Sequence, residues 1–545
     1  MKLIHIFSLV ACLATGSHAG LQAANIKLPA NAPARLQAVK DFYNTTFSAY
    51  LKYAKGADEL FPLSKKPQNN YLGGWGASMV DSITTSYLLG FNDFAKVAED
   101  WMVNHVDYTK TDQSQISVFE TTIRHVAGLV SAYELGGKKN TALIKQATVL
   151  ADELLDAWDN TNAPYNTLVD WNGPSRPQDR TDGALAGIAE AGTLFLEFTR
   201  LSQYSGNSVY AQLVTRAENT LVGLKQTFPG LTGQEFFIHN NTPATDFTNF
   251  GGGADSYYEY LLKIPLLLGS QKGTNATRYL QTWVDGVKSG IKYLIQSPQG
   301  HPDLYWMADY TNGQIIPESG HLQAYIAGNW MLGGKALGNN EIFQWGLKLA
   351  KSYYHTYNAT ASGIGPEGWT FKLKDGSLNG QSYTNDAFSQ KSGFSISSPP
   401  YNLRPEVIES LFYAWRLTGD PKWLDYIWDA FQSIKAHCSA PGGWAAAIDD
   451  VSKAKPALVD NLQSFFFAEL AKYFGLAFSD PSIGSLDKYV FNTEAHPFQY
   501  SFVNMSSQVK IGTIPKPLFQ SRVTPPGGVQ FPRRDDRRSA RSAAT

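Results

Sequence analysis

The sequence predicts an all-α or nearly all-α fold whose helices come in successive pairs. Three observations carry that reading. Apolar residues recur at helical spacing in segment after segment. These segments follow one another closely and are parted by loops rich in Gly, Pro, Asn and Asp, such as "DWNGPSRPQDRTDG" and "TASGIGPEG". Runs that alternate apolar and polar residues are few and short.

The elements follow in order. "MKLIHIFSLVACLATGSHAG" has Lys2, an apolar run, and small residues near Ala19. That is the pattern of a secretory leader over 1–19, too short for a good membrane span. "LQAVKDFYNTTFSAYLKYA" then places Leu36, Val39, Tyr43, Phe47 and Tyr50 on one helical stripe. "ALIKQATVLADELLDAW" does the same with Ile144, Ala147, Leu150, Leu154 and Trp158. "GIAEAGTLFLEFTRLSQY" and "SVYAQLVTRAENTLVGLKQTF" follow directly, and further stripes recur near 278–295, 338–354, 406–418, 421–435 and 462–478. No Pro/Ser linker divides this run, so one domain is expected over 30–512. From about Pro515 periodicity stops and charge clusters, and a disordered tail over 513–545 is expected.

With 545 residues, 43% of them hydrophobic, the chain can bury a large core. A net charge of -1 gives no reason to expect nucleic acid or an anionic membrane surface as partner. No later segment is long and apolar enough to span a bilayer. Sequons at Asn44, Asn240, Asn275, Asn358 and Asn504 fit a secretory route, with the protein lumenal or exported. Cys12 falls in the leader, so Cys438 is left alone and no intrachain disulfide is expected. Aromatic content of 13% suits surfaces that are apolar on one side and wet on the other, sugar clefts among them.

Several acids stand in apolar surroundings. In "YNLRPEVIES", Pro405 suits the first position of a helix, and Glu406 and Glu409 then share a face. Acids in a first turn also simply offset the helix dipole. "SVFETTIRHVAGL" puts Glu120 four residues before Arg124, the spacing of an ordinary helix ion pair. "GGGADSYYEYLL" puts Asp255 after a glycine turn, where it could be a helix cap. "YVFNTEAHPF" holds Thr493, Glu494 and His496 in an apolar frame. No Cys/His spacing suggests zinc, while hydroxyl, carbonyl and carboxylate oxygens would suit a hard ion such as calcium. Carboxylates gathered by helix ends in an aromatic-rich secreted chain point towards glycoside hydrolysis, which needs one carboxyl to protonate the leaving oxygen and a second to activate water or attack.

Eight stretches, in this order, resemble the motifs of glycoside hydrolase family 47: "GWGASMVDS", "FETTIRHVAGLVSAYEL", "GGGADSYYEYLLK", "SGHLQAYIAGNWMLGG", "GIGPEGW", "YNLRPEVIESLFYAWRLTGD", "SFFFAELAKY" and "VFNTEAHPF". These are the class I α-1,2-mannosidases, and the secreted fungal members look closest. The resemblance implies an (αα)7 barrel, a calcium ion, and inverting removal of terminal α-1,2-linked mannose from high-mannose N-glycans by a monomer. It implies Glu120 as general acid, directly or through water. Asp255 and Glu406 would hold and activate the attacking water, with Glu406 as the base. It puts Thr493 on calcium through hydroxyl and carbonyl, and Glu409 and Glu494 on the waters of the ion's shell. Arg124 and His321 would contact sugar or order the acids, and Arg404 would order neighbouring carboxylates.

Three departures from the family pattern stand out. Ala324 and "KSYYHTY" replace the two positions of the usual disulfide, Thr84 replaces an acid, and Gln463 replaces a glutamate. The three proposed catalytic acids are intact. A weakly active or inactive relative that binds mannose-rich glycans in glycoprotein quality control is the second reading. Gly253 stands where some relatives carry an arginine that restricts branch choice.

Overall fold

Two kinds of helix build the molecule. Lys422–His437 buries Trp423, Leu424, Ile427, Ala430, Phe431 and Ile434 along one stripe, as a helix with one partner face must. Ala77–Leu89 and Glu406–Thr418 are instead buried on almost every side, which requires neighbours all round. The computed structural model describes residues 20–526 apart from 25, 70–71, 174–175, 179–183 and 270–273. The leader expected over 1–19 lies outside the described residues.

The buried helices form an inner ring: Ala77–Leu89, 118–135, 188–205, Asp255–Leu268, 322–336, Glu406–Thr418 and 466–478. Each packs on the next, and the last packs on the first. The one-sided helices form an outer ring: Asn92–Asn104, 141–158, Val209–Leu221, 276–294, Asn340–Ala359, Lys422–His437 and Ala32–Tyr53. The last of these is first in sequence, and it closes the barrel by packing on 466–478. The result is the expected (αα)7 barrel.

Connections are unequal. An inner helix passes to its outer partner by a short turn, such as Gly419–Pro421, where Gly419 takes a positive φ of 70° that suits glycine. An outer helix returns to the next inner one through a long loop with short antiparallel strands, for instance Glu318–Gly320, Gly368–Thr370 and Ser395–Ser398. All the long loops therefore gather at one end, where the inner helices begin. Sequence periodicity could not anticipate these strands, because each is only two to four residues long.

The barrel axis is filled from the other end. Tyr489–Phe491 and Pro497–Gln499 form a hairpin with Val490, Phe491 and Phe498 buried. Its turn is tied to several inner helices: Asn492 donates to the Ile123 carbonyl and to Glu197, Ser131 donates to the Pro497 carbonyl, and Thr84 meets His496. The barrel floor beneath the loop-rich end is thus this turn.

The structure moves one expected boundary. The sequence places 513–526 at the start of a disordered tail, yet this segment packs on the barrel. Ile514 and Val523 are buried, the Leu518 amide donates to the Lys292 carbonyl at 2.9 Å, and the Val523 amide donates to the Gly313 carbonyl at 3.0 Å. A lack of periodicity misleads here, because an extended segment docked on a loop has none. Residues 527–545 lie outside the described residues. A chain ending at 512 is expected to be less stable than one ending at 526 by about 2–4 kcal/mol, from the apolar surface uncovered. Urea unfolding of the two chains checks it, and equal midpoints would show that the docked segment adds nothing.

Candidate active site

Because the inner helices all start at the loop-rich end, their unpaired amides and positive dipole ends point into one place. Acids gather there. Glu120, Glu190, Asp255 and Glu406 each lie in the first turn of an inner helix. They line a cavity of about 670 Å³ together with Arg124, Glu259, Arg404, Glu409, Gln463, Glu469, Thr493 and Glu494. Phe119, Leu322, Tyr325 and Phe465 supply its apolar wall.

Glu406 opens its helix one residue after Pro405, which lies just before the helix rather than in its first position. The Oε2 of Glu406 meets His321 Nδ1 at 2.6 Å, and His321 Nε2 meets the Tyr357 hydroxyl at 2.8 Å. Burial would raise the Glu406 carboxyl, but His321 and the charge of Arg404 outweigh it and hold it below the usual value. Arg404 itself bonds Glu367 at 2.8 Å, and Glu367 also takes the Asn402 amide. Arg404 thus bonds Glu367 on one side and acts on Glu406 through its charge on the other.

Asp255 is the first residue of its helix and accepts the Ser256 amide at 2.9 Å. Burial pushes its carboxyl up to about 7, and the nearby charges of Glu259 and Glu406 add to that. Two carboxyl groups at the same rim therefore differ: Glu406 is held below its ordinary value and Asp255 is raised to about 7.

Glu120 accepts from Arg124 Nε at 2.9 Å, so the ordinary helix ion pair is made. Arg124 does more. Its guanidinium also bonds Glu494 and, at 3.0 Å, the Ser464 hydroxyl, and it lies 3.4 Å from Asp81. The wide π turn Thr122–Val126 carries Arg124, and another, Phe466–Leu470, carries Glu469. Such turns re-aim side chains inside a helix and recur at functional sites.

At the floor, Thr493 and Glu494 come from the hairpin turn, and Glu259 and Glu409 from inner helices on either side of 322–336. Lys263 bonds Glu259, and the Tyr473 hydroxyl donates to Glu409 at 3.3 Å. Burial, reinforced by Glu259, pushes Glu409 up to about 8. Burial and then the charge of Glu494 hold Glu469 well above the carboxylate range.

Residues 42–500 match glycosyl hydrolase family 47. The chain belongs to this family. It is 37% identical to a mannosyl-oligosaccharide alpha-1,2-mannosidase of Coccidioides posadasii over 85% of this chain and 90% of that one. It is 36% identical to mannosyl-oligosaccharide alpha-1,2-mannosidase 1B of Aspergillus phoenicis over 86% of this chain and 92% of that one. The solved structure of an alpha-1,2-mannosidase from Trichoderma reesei superposes with a TM-score of 0.81 at 36% identity, covering 86% of this chain and 99% of that one.

Of the residues singled out from the sequence, Glu120, Arg124, Asp255, Arg404, Glu406, Glu409, Thr493 and Glu494 line the cavity. His321 stands behind Glu406, and His496 lies off the cavity against Thr84 and Asp81. Sequence reasoning missed Glu259, Glu469 and Glu190. Each did lie inside a quoted helical stretch, with Glu259 four residues before Lys263, so an acid inside an otherwise apolar inner helix was the available signal. The departures also find places. Gln463 lines the cavity and donates to Asn461 at 3.3 Å. Thr84 meets His496 Nδ1 at 3.0 Å. Ala324 and Cys438 are both buried, and Cys438 is free. Gly253 has φ +87°, and a side chain there would collide with Gln234.

The proton on Asp255 has a measurable consequence. A folded state that binds this proton more tightly than the unfolded chain loses stability as pH rises from about 4 through about 7. In chelator-treated buffer, Asp255→Asn is therefore expected to gain up to about 4 kcal/mol over the parent at pH 8 and nothing at pH 4. Urea midpoints at the two pH values check it. An equal difference at both would mean that Asp255 is ionised throughout.

Proposed function

We propose that this chain hydrolyses terminal α-1,2-linked mannose from high-mannose N-glycans, with inversion at the anomeric carbon and with calcium. The observation that carries the reading is the set of three carboxyl groups, Glu120, Asp255 and Glu406, each in the first turn of an inner helix around one cavity of about 670 Å³. The relatives named as α-1,2-mannosidases span nearly the whole barrel, which supports the same linkage here.

Glu406 takes the proton of the attacking water. His321 and Arg404 hold it as a carboxylate, the form a base must have. Glu120 protonates the leaving oxygen, directly or through a water, and Arg124 orients it from within the same helix. Asp255, raised to about 7, titrates near neutral pH and can donate a hydrogen bond to the attacking water or a sugar hydroxyl when protonated and accept one when ionised. Phe119, Phe465 and Tyr325 supply the apolar faces on which a pyranose rests.

The floor fits a hard cation by its donor chemistry. Thr493, Glu259, Glu409, Glu469 and Glu494 offer oxygen only, and buried carboxylates outnumber the cations paired with them. Among the described residues no three His, Cys, Asp or Glu side chains form a direct ligand group. By the family resemblance, Thr493 would be the direct protein ligand, and Glu409 and Glu494 would act through the ion's waters. Bound there, calcium supplies a hard positive charge that can ligate vicinal sugar hydroxyls.

Glu406→Gln and Asp255→Asn are expected to lose at least about 10²-fold in turnover on a high-mannose glycan while keeping the fold. Glu120→Gln should lose as much on the glycan but recover on α-mannosyl fluoride, whose leaving group needs no proton. Mass spectrometry of the trimmed glycan and fluoride release decide the roles. NMR of the first product should show β-mannose. A folded parent that binds the glycan without trimming it would place the chain with glycan-binding relatives instead.

Gln463 tests the ion. Gln463→Glu adds a charge to the cavity wall, and Gln463→Leu removes the polar group. The first is expected to raise calcium affinity and the second to lower it, because site charge helps set affinity. Calcium titrations followed by melting temperature and by activity check this, with zinc expected to replace calcium in neither readout. Three identical titrations would remove Gln463 from the ion's surroundings, and a chelator without effect on the parent would remove the ion.

A further inference from the structure

Glu120 sits where its helix is least able to hold itself. The run 118–135 opens with the single turn Val118–Thr121 and passes at once into the wide π turn Thr122–Val126. The amides of Val118, Phe119 and Glu120 come too early for an intrahelical partner. Two residues meet all three. The Val118 amide donates to the Asn166 carbonyl at 2.7 Å, and the Phe119 amide donates to Asn166 Oδ1 at 3.0 Å. The Glu120 amide donates to Ser117 Oγ at 3.2 Å, and the Ser117 hydroxyl donates in turn to Asn166 Oδ1 at 3.2 Å. One asparagine therefore holds two of these amides directly and the third through Ser117.

The other end of the same side chain is engaged as well. A backbone N–H only donates, so the atom that faces the Phe119 amide is the oxygen, and the nitrogen points the other way. There Nδ2 donates to Glu190 Oε1 at 2.8 Å. Glu190 lies in the first turn of the next inner helix, and its Oε2 accepts the Gly187 amide at 3.2 Å. Asn166 belongs to neither helix. It comes from the loop after outer helix 141–158, and the strand that follows it, Thr167–Val169, pairs with Gln115–Ser117. The strand pairing fixes the backbone of Asn166, and the amide, held at both ends, spans the starts of two successive inner helices. Asn166, Ser117, Glu120 and Glu190 all line the cavity.

On the reading of Glu120 as general acid, we propose that Asn166 is the residue that positions it. In that step the Glu120 carboxyl gives its proton to the glycosidic oxygen as the bond from that oxygen to the anomeric carbon breaks. Arg124 orients the carboxyl, while Asn166 fixes the backbone that carries it. A misplacement of about 1 Å at such a group costs rate. Loosening Asn166 therefore slows the cleavage of a poor leaving group and leaves the hold on the sugar as it was.

Two substitutions test this, Asn166→Ala and Ser117→Ala. On a high-mannose glycan, Asn166→Ala is expected to lower kcat by about 10- to 10²-fold, and on α-mannosyl fluoride, whose departure needs no proton, to stay within about twofold of the parent. The Kd for the glycan, measured by calorimetry in a Glu406→Gln background, should not change. Ser117→Ala cuts only the bonds through the hydroxyl and should show the same split to a smaller degree; it serves alone if Asn166→Ala does not fold. In a Glu120→Gln background, Asn166→Ala should cost nothing further on the glycan, because the group it positions has no proton to give. An equal loss on both substrates would mean a general loosening of the fold, and a weaker Kd would mean that Asn166 grips the sugar itself. Either result overturns the proposal, as does a full further loss in the Glu120→Gln background. A parent that trims no glycan would overturn the acid role of Glu120, whereas an active parent with unaffected variants would overturn only the role of Asn166.

Discussion

The guanidinium of Arg124 is where the site is joined together. It reaches Glu120 on its own helix, Asp81 on the first inner helix, Ser464 before the last inner helix, and Glu494 on the axial hairpin. The ring of Phe465 lies across it, 5.9 Å from its centre. A buried guanidinium is stable only when its donors are met, and no single helix could meet them. They are met because the barrel closes: the last inner helix packs on the first, and the hairpin that follows enters the axis. Ring closure and the placement of Glu120 are thus one event.

The opposite problem governs the floor. Glu259, Glu409, Glu469 and Glu494 face the same cavity as Asp255 and Glu406. Lys263, Arg124 and Arg404 answer only part of this charge. The positive ends of the inner helices answer some of the rest, since Glu190, Asp255 and Glu406 all sit in first turns. What is left is expressed as raised carboxyl groups, Asp255 at about 7 and Glu409 at about 8. Glu406 escapes because His321 and Arg404 flank it. The barrel does not assign these protonation states through distance from water alone, for Asp255 and Glu406 are both partly exposed and yet shift in opposite directions. It assigns them through which neighbours each helix start is given.

How much of this could be read from the chain follows from what sequence periodicity measures. One-sided helices such as Lys422–His437 have a clear stripe, and they are legible. Inner helices such as 322–336 are apolar on most sides and show little stripe, so that segment is recognisable through its resemblance to a family motif and not from periodicity. The short strands and the docked segment 513–526 carry no period at all. Glu120, Asp255 and Glu406 stand out because each begins a helix after a Pro, Gly or Ser signal. Glu259 and Glu469 lie in helix interiors, where only the assembled ring shows that they face a cavity and not a neighbour. That Arg124 would bind four separated segments is beyond any local reading, since the partners lie at 81, 120, 464 and 494.

The departures from the family pattern follow the same electrostatic logic. Burial pushes His496 down to about 4, so its ring is neutral, with one nitrogen donating and one accepting. If Nε2 donates to Asp81, 3.3 Å away, Nδ1 must accept, and the Thr84 hydroxyl at 3.0 Å is the group that can donate to it. A carboxylate at position 84 could not donate unless it carried a proton itself. Threonine therefore matches a neutral imidazole and removes one negative charge from behind Arg124, while Gln463 removes one from the cavity wall in front. Lys472 lies on the last inner helix. It is fully buried and donates to the Ala495 carbonyl, and burial brings it down to about 7 although Glu469, Asp81 and Glu494 pull it upward. The acids this chain retains, Glu259, Glu409, Glu469 and Glu494, gather on the floor of the cavity, where burial holds Glu409, Glu469 and Glu494 above the ordinary carboxylate value.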